Sequence, residues 1–476
     1  MDQKPIIRRH QITKDGFGKV PTDAQIPGSK VKRYFTPARV MLLSFAGIIL
    51  LGALLLLLPQ ATTGAGISFI DALFTATSAT CVTGLVVVDT GTAFTRFGQW
   101  VILAMIQLGG LGIMTFSTFF MYLFGSRLSL SSRGILQETF SQQPMQHIRG
   151  LLKTIFLATI AIEGIGAFLL TARFLFDMPP LEALYFGIFH AISAFCNAGF
   201  SLFSDSIVFY KADFVVNFTI LALIVLGGLG FIVIFELHRH RPLRFSKLSL
   251  HSRLVLLMTG ALIIAGTVLF FVLEFDNSLK PLSWDAKLFT AIFQSITTRT
   301  AGFNSLDIST LTNPTLFVMI ILMIIGASPG SCGGGIKTTT FAINLAIIKA
   351  RFHNQRDVNI FYRRVPSHIV SKTISITFFT LFLIILGTMF LLFTELAEVS
   401  HQASRGMFLE LLFEVVSAFA TVGLSTGVTS HLSPIGRIVI VLLMFIGRLG
   451  PLTVALAVGS KEKIHYKQAE ENVLVG

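Results

Sequence analysis

The chain is poor in charge: 13% of its 476 residues are Asp, Glu, Lys or Arg, roughly half the ~25% of an ordinary soluble domain. That excludes an ordinary cytosolic enzyme. Cysteine is scarce too, three in all and each in or near an apolar run, so no disulfide framework is implied. The apolar stretches hold neither a His-Glu-x-x-His nor an aspartate pair, which leaves a membrane-embedded enzyme without its chemistry. What abounds is apolar: 53% hydrophobic residues, 46 Phe and 40 Gly, with a mean hydropathy of +0.76. Such a chain puts side chains into lipid and also brings backbones close together. It reads as an all-α polytopic membrane protein.

The uncharged run at 40–58 and comparable apolar runs at 98–124, 152–174, 214–236, 253–273, 315–350 (interrupted), 371–393 and 436–459 are each long enough for a hydrocarbon core of about 30 Å at ~1.5 Å per residue. Eight spans are expected. Most of the 37 Lys and Arg fall in the first 39 residues, in the loops after spans two, four and six, and beyond 459. By the positive-inside rule both termini are cytoplasmic. The net charge of +13 therefore names a membrane leaflet, and nucleic acid is not an expected partner. Residues 1–39, with Pro5, Pro21, Pro27 and Pro37 and no apolar period, read as a basic cytoplasmic arm, and 460–476 as a cytoplasmic tail.

After spans one, three, five and seven comes a segment too short to cross, ending in small or hydroxyl residues, a glycine and a large apolar residue. These segments run Phe69–Leu85, Leu184–Phe200, Leu288–Phe303 and Leu409–Leu424. Their glycines, Gly84, Gly199, Gly302 and Gly423, recur at intervals of 103 to 121 residues, one span, short helix and span per interval. The expected units are 40–124, 152–236, 253–350 and 371–459. In each, the second span breaks its apolar pattern at a matching place: Gly109-Gly110-Leu111-Gly112, Gly227-Gly228-Leu229-Gly230, Gly326 to Gly330, and Gly447 to Pro451. Small residues at one depth on four helices let backbones approach closely.

Stripping water from a monovalent cation is costly unless carbonyl oxygens replace the hydration shell, and four inward-facing backbones can supply them. Adjacent carbonyls converge only where some residue adopts an unusual backbone angle, which glycine does without a Cβ clash. The four glycines are therefore the expected ion-filter positions. Val82 and Thr83, Asn197 and Ala198, Thr300 and Ala301, and Thr421 and Val422 precede them and add carbonyls or hydroxyls.

Span six enters Gly326-Ala327-Ser328-Pro329-Gly330-Ser331-Cys332-Gly333-Gly334-Gly335-Ile336-Lys337 before resuming. Five glycines and a proline cannot continue as helix, and irregular backbone at membrane depth survives where protein or water satisfies it. The segment 326–338 is expected to line the cavity below the filter as a movable gate. It imitates a phosphate loop, but Ile336 stands between Gly335 and Lys337 and a membrane helix precedes it, so ATP binding is rejected. Arg448 has ten uncharged residues before it and twelve after, at a depth where a charge costs at least ~2.5–3.5 kcal/mol. It is expected to face the pore beneath the filter, with a pair to Glu163 as the alternative. Lys337 is expected to mark the inner mouth, Arg299 to brace the third filter segment from behind, and Asp71, Glu182, Glu410 and Glu414 to stand near the outer mouth, where they draw in cations, with helix-start stabilisation an equally good account for Asp71 and Glu182.

The sequences Cys81-Val-Thr-Gly-Leu85, Cys196-Asn-Ala-Gly-Phe200, Thr300-Ala-Gly-Phe303 and Thr421-Val-Gly-Leu424, with the glycine-rich break in span six, resemble the Ktr/Trk/HKT superfamily of potassium transporters over about 40–459. With four units and no extra amino-terminal spans, the chain is most similar to the membrane subunit of a bacterial Ktr system. The resemblance implies four helix, re-entrant pore helix, helix repeats around one pore, and potassium selectivity, since glycine at the first filter position goes with potassium and serine with sodium. It also implies a homodimer in the cell membrane and a cytosolic nucleotide-binding regulatory ring of the RCK type, which binds ATP, ADP or NAD. No cofactor is expected in this chain itself. A gated channel and sodium-coupled uptake both fit these residues. An organic-solute carrier would show two inverted halves, whereas the four units run parallel.

Overall fold

A computed structural model describes residues 37–64, 66–124, 148–239 and 245–458. The basic arm up to residue 36, the tail 460–476 and most of the loop after the second expected span lie outside the described residues. The fold is helical: α1 Pro37–Leu56, α2 Phe69–Thr80, α3 Arg96–Phe124, α4 Ile148–Phe174, α5 Pro180–Phe195, α6 Phe214–Leu229, α7 Phe231–Arg239, α8 Leu250–Glu274, α9 Trp284–Thr297, α10 Asn313–Ile324, α11 Thr338–Phe352, α12 Ser367–Leu396, α13 Met407–Phe419, α14 Pro434–Leu449 and α15 Pro451–Val458. A two-stranded antiparallel hairpin, β1 Asn359–Ile360 and β2 Arg363–Arg364, joins α11 to α12. Serine and aspartate start several helices by accepting from backbone N–H groups: Ser68 caps α2, Asp213 α6, Ser249 α8 and Ser433 α14.

Among the described residues, four helices (38–56 of α1, 155–174 of α4, α8 and α12) are long and apolar enough to cross a membrane, and α6 with α7 makes a fifth if the bent pair is one span. In the most apolar 18-residue stretch of each of those four, only 28–33% of the residues are buried. The short helices are the inverse. In α2, α5, α9 and α13 the carboxy-terminal residues are wholly covered, and Phe74, Phe189, Phe293 and Phe413 are each 0% exposed. The molecule thus keeps its core around the short helices and turns the long ones outward, an arrangement that suits lipid as the outer solvent.

The glycine clusters in the second helices act in different ways. α3 continues as helix through Gly109 to Gly112. The chain bends by 97° at Gly230, so 214–236 is no straight span. It opens fully between α10 and α11, where Thr338 already belongs to the helix rather than the loop, and turns at Gly450 between α14 and α15. Gly230 and Gly450 adopt left-handed φ of 91° and 85°, whereas Gly109 to Gly112 stay helical. Close packing explains the shared signal better than helix breaking does. A methyl on Gly109, Gly227 or Gly447 would stand 1.9, 1.9 or 1.8 Å from the carbonyl oxygen of Thr80, Phe195 or Phe419. Each of these carbonyls ends a short helix. Each glycine therefore seats its helix directly on the short helix before it, a contact any side chain would prevent.

Candidate functional site

Each short helix runs into a loop of the same design. The residue two before the glycine has left-handed φ although none is glycine: Val82 56°, Asn197 59°, Thr300 70° and Thr421 52°. The glycines follow at 95°, 70°, 79° and 91°, while Thr83, Ala198, Ala301 and Val422 between them do not share that sign. Alternating handedness turns successive carbonyls to one side of the chain, where an extended strand would send them to opposite sides. For β-branched Val and Thr this conformation costs of order 1–3 kcal/mol per residue and persists only where surroundings impose it.

The surroundings include a hydroxyl placed alike in all four loops. Ser78 Oγ accepts from Gly84 N at 3.0 Å, Ser417 Oγ accepts from Gly423 N at 3.1 Å, and Ser193 and Thr297 donate to the carbonyls of Phe200 and Phe303 at 2.7 Å. The backbone bond beneath it is Thr83 N to Ser78 O (2.8 Å), Ala198 N to Ser193 O (2.7 Å), Val422 N to Ser417 O (2.8 Å) and Ala301 N to Thr297 O (3.0 Å). The third loop closes this turn with one residue fewer.

The loops meet in a closed ring. A methyl on Gly84 would lie 2.5 Å from Ala198 O, one on Gly199 2.8 Å from Ala301 O, one on Gly302 2.6 Å from Val422 O, and one on Gly423 2.0 Å from Thr83 O. Each glycine thus faces the carbonyl before the next glycine in chain order, and the fourth returns to the first. The residues that follow the glycines line a cavity of about 680 Å³, whose wall includes Asp89, Asp205 and Asp307. Sequence reading passed over these three carboxylates, although each lies five or six residues after a loop glycine.

On the other side of the ring sits the segment 325–337. Gly333 and Gly334 lie under the loop threonines: added methyls would stand 2.0 Å from Thr300 Oγ1 and 2.3 Å from Thr421 Oγ1. The segment rests on the α6–α7 bend. Ser328 N and Cys332 N donate to the carbonyls of Gly228 (3.1 Å) and Gly227 (3.3 Å), and Phe231 N donates to Gly330 O at 3.0 Å. The bend at Gly230 makes room for it, since a methyl there would stand 2.6 Å from Pro329 O. Gly326 N to Ile336 O (2.9 Å) and Ile336 N to Ile324 O (3.1 Å) close its neck, Ala327 is 0% exposed, Ser331 Oγ donates to Ser328 O at 2.7 Å, and Gly335 takes φ 68°.

Arg448 is buried, and its guanidinium donates to the carbonyls of Cys332 and of Gly109, the latter at 2.7 Å. The alternative pairing with Glu163 is overturned, because Glu163 accepts from Gln107 Nε2 at 3.2 and 3.3 Å. Lys337 Nζ folds back onto Gly333 O at 2.5 Å. Arg299 is buried and reaches Thr259 Oγ1 on α8 at 3.4 Å, behind the third loop. The expected mouth carboxylates are largely committed: Asp71 pairs with Arg437 at 2.5 Å, Glu182 with Arg96 at 3.6 Å, and buried Glu414 accepts from Ser425 at 2.9 Å and from Thr429.

Residues 49–465 match the TrkH family, described as cation transport proteins. This chain belongs to the TrkH family. It is 41% identical over 444 residues to Ktr system potassium uptake protein B of Bacillus subtilis (strain 168), covering 93% of this chain and 97% of that protein. It is 35% identical over 452 residues to the potassium/sodium uptake protein NtpJ of Enterococcus hirae, covering 94% and 99%. The potassium transporter TrkH of Vibrio parahaemolyticus shares the fold, with a TM-score of 0.70 over 91% of this TrkH-family chain and 87% of that one, at 16% identity.

Proposed function

We propose that this chain is the ion-conducting membrane subunit of a potassium uptake system. The observation that carries the reading is the closed ring of four glycine loops, each with a strained left-handed residue two before the glycine. Potassium loses its water at that ring to the carbonyls of Val82, Thr83 and Gly84, Asn197, Ala198 and Gly199, Thr300, Ala301 and Gly302, and Thr421, Val422 and Gly423. Uptake of potassium by the named relatives supports the choice of ion, and the potassium/sodium name of one of them supports a sodium dependence.

Residues Gly326 to Lys337 form the gate. They fill the space beneath the ring, and Arg448 ties their Cys332 carbonyl to Gly109 of α3. Opening carries Gly333 and Gly334 away from Thr300 and Thr421. Eight membrane crossings in four repeats, both termini cytoplasmic, a homodimer and a cytosolic nucleotide-binding partner complete the reading. The excess of Lys and Arg in alternate loops supports the orientation, and membership of a named multi-protein system among the relatives supports the partner.

Radiolabelled rubidium uptake into potassium-loaded liposomes holding only this chain tests it. Uptake that external potassium competes away supports the reading; its dependence on external sodium distinguishes coupling from a simple pore. No uptake, with or without an added regulatory subunit, sinks the proposal.

A further inference from the structure

The β1–β2 hairpin is small, yet the chain spends conformational energy on it. Its two-residue turn is Phe361-Tyr362, both with positive φ, 50° and 61°, the geometry that favours Asn-Gly. Bulky aromatic residues there are outliers. The base is fixed: Val358 and Val365 are buried with Ala350 of α11, Ile360 packs beside them, Val365 N donates to Val358 O at 2.8 Å, and Arg364 pairs with Asp357 at 2.9 Å. The tip is bare, with Tyr362 107% exposed and Phe361 40%. A rigid base holding out two strained aromatic rings is built for contact.

The position indicates the partner. Tyr362 lies five residues before α12, one of the four helices long and apolar enough to cross a membrane, so at ~3.5 Å per residue it sits within ~18 Å of that helix's start. On α11, which packs against β1, Leu345, Ile348 and Phe352 are exposed at helical spacing, Phe352 at 87%. They form an apolar stripe on one face of α11, while Ala346, Ile347 and Ala350 on its other face pack with the hairpin base. Arg351, Arg356 and Arg363 are exposed there as well. An aromatic tip held close to the start of a spanning helix and fringed by guanidiniums matches the headgroup zone of an anionic leaflet, where rings sit at the interface and arginines reach phosphates.

We propose that the 359–364 hairpin is an anchor that inserts Phe361 and Tyr362 into the headgroup region of the cytoplasmic leaflet and binds anionic lipid through Arg356 and Arg363. The inference rests on the reading that α12 spans the membrane.

The native cysteines, Cys81, Cys196 and Cys332, are all buried, so a nitroxide on Y362C labels the full chain selectively, the unmutated protein giving the background. In vesicles of phosphatidylcholine with phosphatidylglycerol, the label at 362 is expected to be relaxed more by oxygen than by a water-soluble nickel chelate. Removing phosphatidylglycerol, or adding R356Q and R363Q, should reverse that preference. A second label at F382C, midway along α12 and 59% exposed in the native residue, checks the spanning reading separately: it must favour oxygen in every vesicle. If 382 favours oxygen while 362 favours the nickel chelate in both lipid mixtures, the anchor is refuted and the tip is left for a soluble partner. If 382 itself favours the chelate, the spanning reading fails first. Should the cysteine variant not fold, Y362W in a W100F/W284F background, with brominated lipid as the quencher, reads the same depth, and absence of quenching overturns the proposal.

Discussion

Arg437 Nη1 of α14 lies 2.5 Å from Asp71 Oδ1 of α2, so the last quarter of the chain is fastened to the first. The same arginine donates to Ser430 O at 3.0 Å. Arg96 of α3 and Glu182 of α5 repeat the arrangement, from the start of a second helix to the first turn of the next short helix, at 3.6 Å.

These two pairs differ in cover, and their energies should differ accordingly. The Arg437 and Asp71 side chains are 21% and 16% exposed, against 58% and 49% for Arg96 and Glu182. R437Q is expected to cost about 1–3 kcal/mol, leaving a largely buried carboxylate without its partner. R96Q should cost about 0–1 kcal/mol. Melting temperatures in detergent would order them; equal shifts would contradict the argument.

Glycines that look alike in sequence should respond oppositely to alanine. G109A, G227A and G447A each drive a methyl into a backbone carbonyl and should destabilise by about 1–3 kcal/mol or prevent folding. G260A in α8, with nothing within 4 Å of the added methyl, should gain up to ~1 kcal/mol from helix propensity. Thermal unfolding of the four variants decides this.

Within the ring the clash is graded. The methyl of G423A would stand 2.0 Å from Thr83 O, that of G199A 2.8 Å from Ala301 O. Rubidium uptake should be lost in G423A and reduced less in G199A. G84S should admit more sodium, and an unchanged rubidium-to-sodium ratio would count against the first loop as a selectivity determinant.

R448Q removes the two carbonyl bonds that join Cys332 to Gly109. Flux through the chain alone should rise, with the preference for rubidium over sodium retained because the ring is untouched. Shortening Gly326 to Gly335 should act in the same direction. Unchanged or lower flux in both would argue that the segment is a fixed plug.

Much of this was legible in the residues. The four glycines, the short helices before them and the break after Ile324 follow from apolar length and glycine placement, which are local properties. The 97° bend at Gly230 was not, because Gly109 to Gly112 carries the same signal inside a continuous helix; only the segment lodged against Gly230 separates the two cases. The partners of Arg448 were hidden for another reason. They are backbone carbonyls, and no side-chain identity announces them. Two further clasps were missed though a signal exists: Glu274 accepts from Thr312 N at 2.9 Å and Glu395 from Ser433 N at 3.0 Å. Each glutamate ends one helix and caps another at the same sequence separation of 38, a spacing that would have exposed them.

Three second helices rest on a short-helix carbonyl through Gly109, Gly227 and Gly447, while at the corresponding Gly326 an added methyl would meet Gly334 O at 2.1 Å instead. The third quarter alone has exchanged that seat for a loop folded onto itself. On the gating role proposed above for that loop, the barrier is carried by one quarter and has no symmetric counterparts to move in concert, as an iris of four equal leaves would. Its opening is a single event, so current through one such pore should switch between closed and one full level, without quarter steps in between.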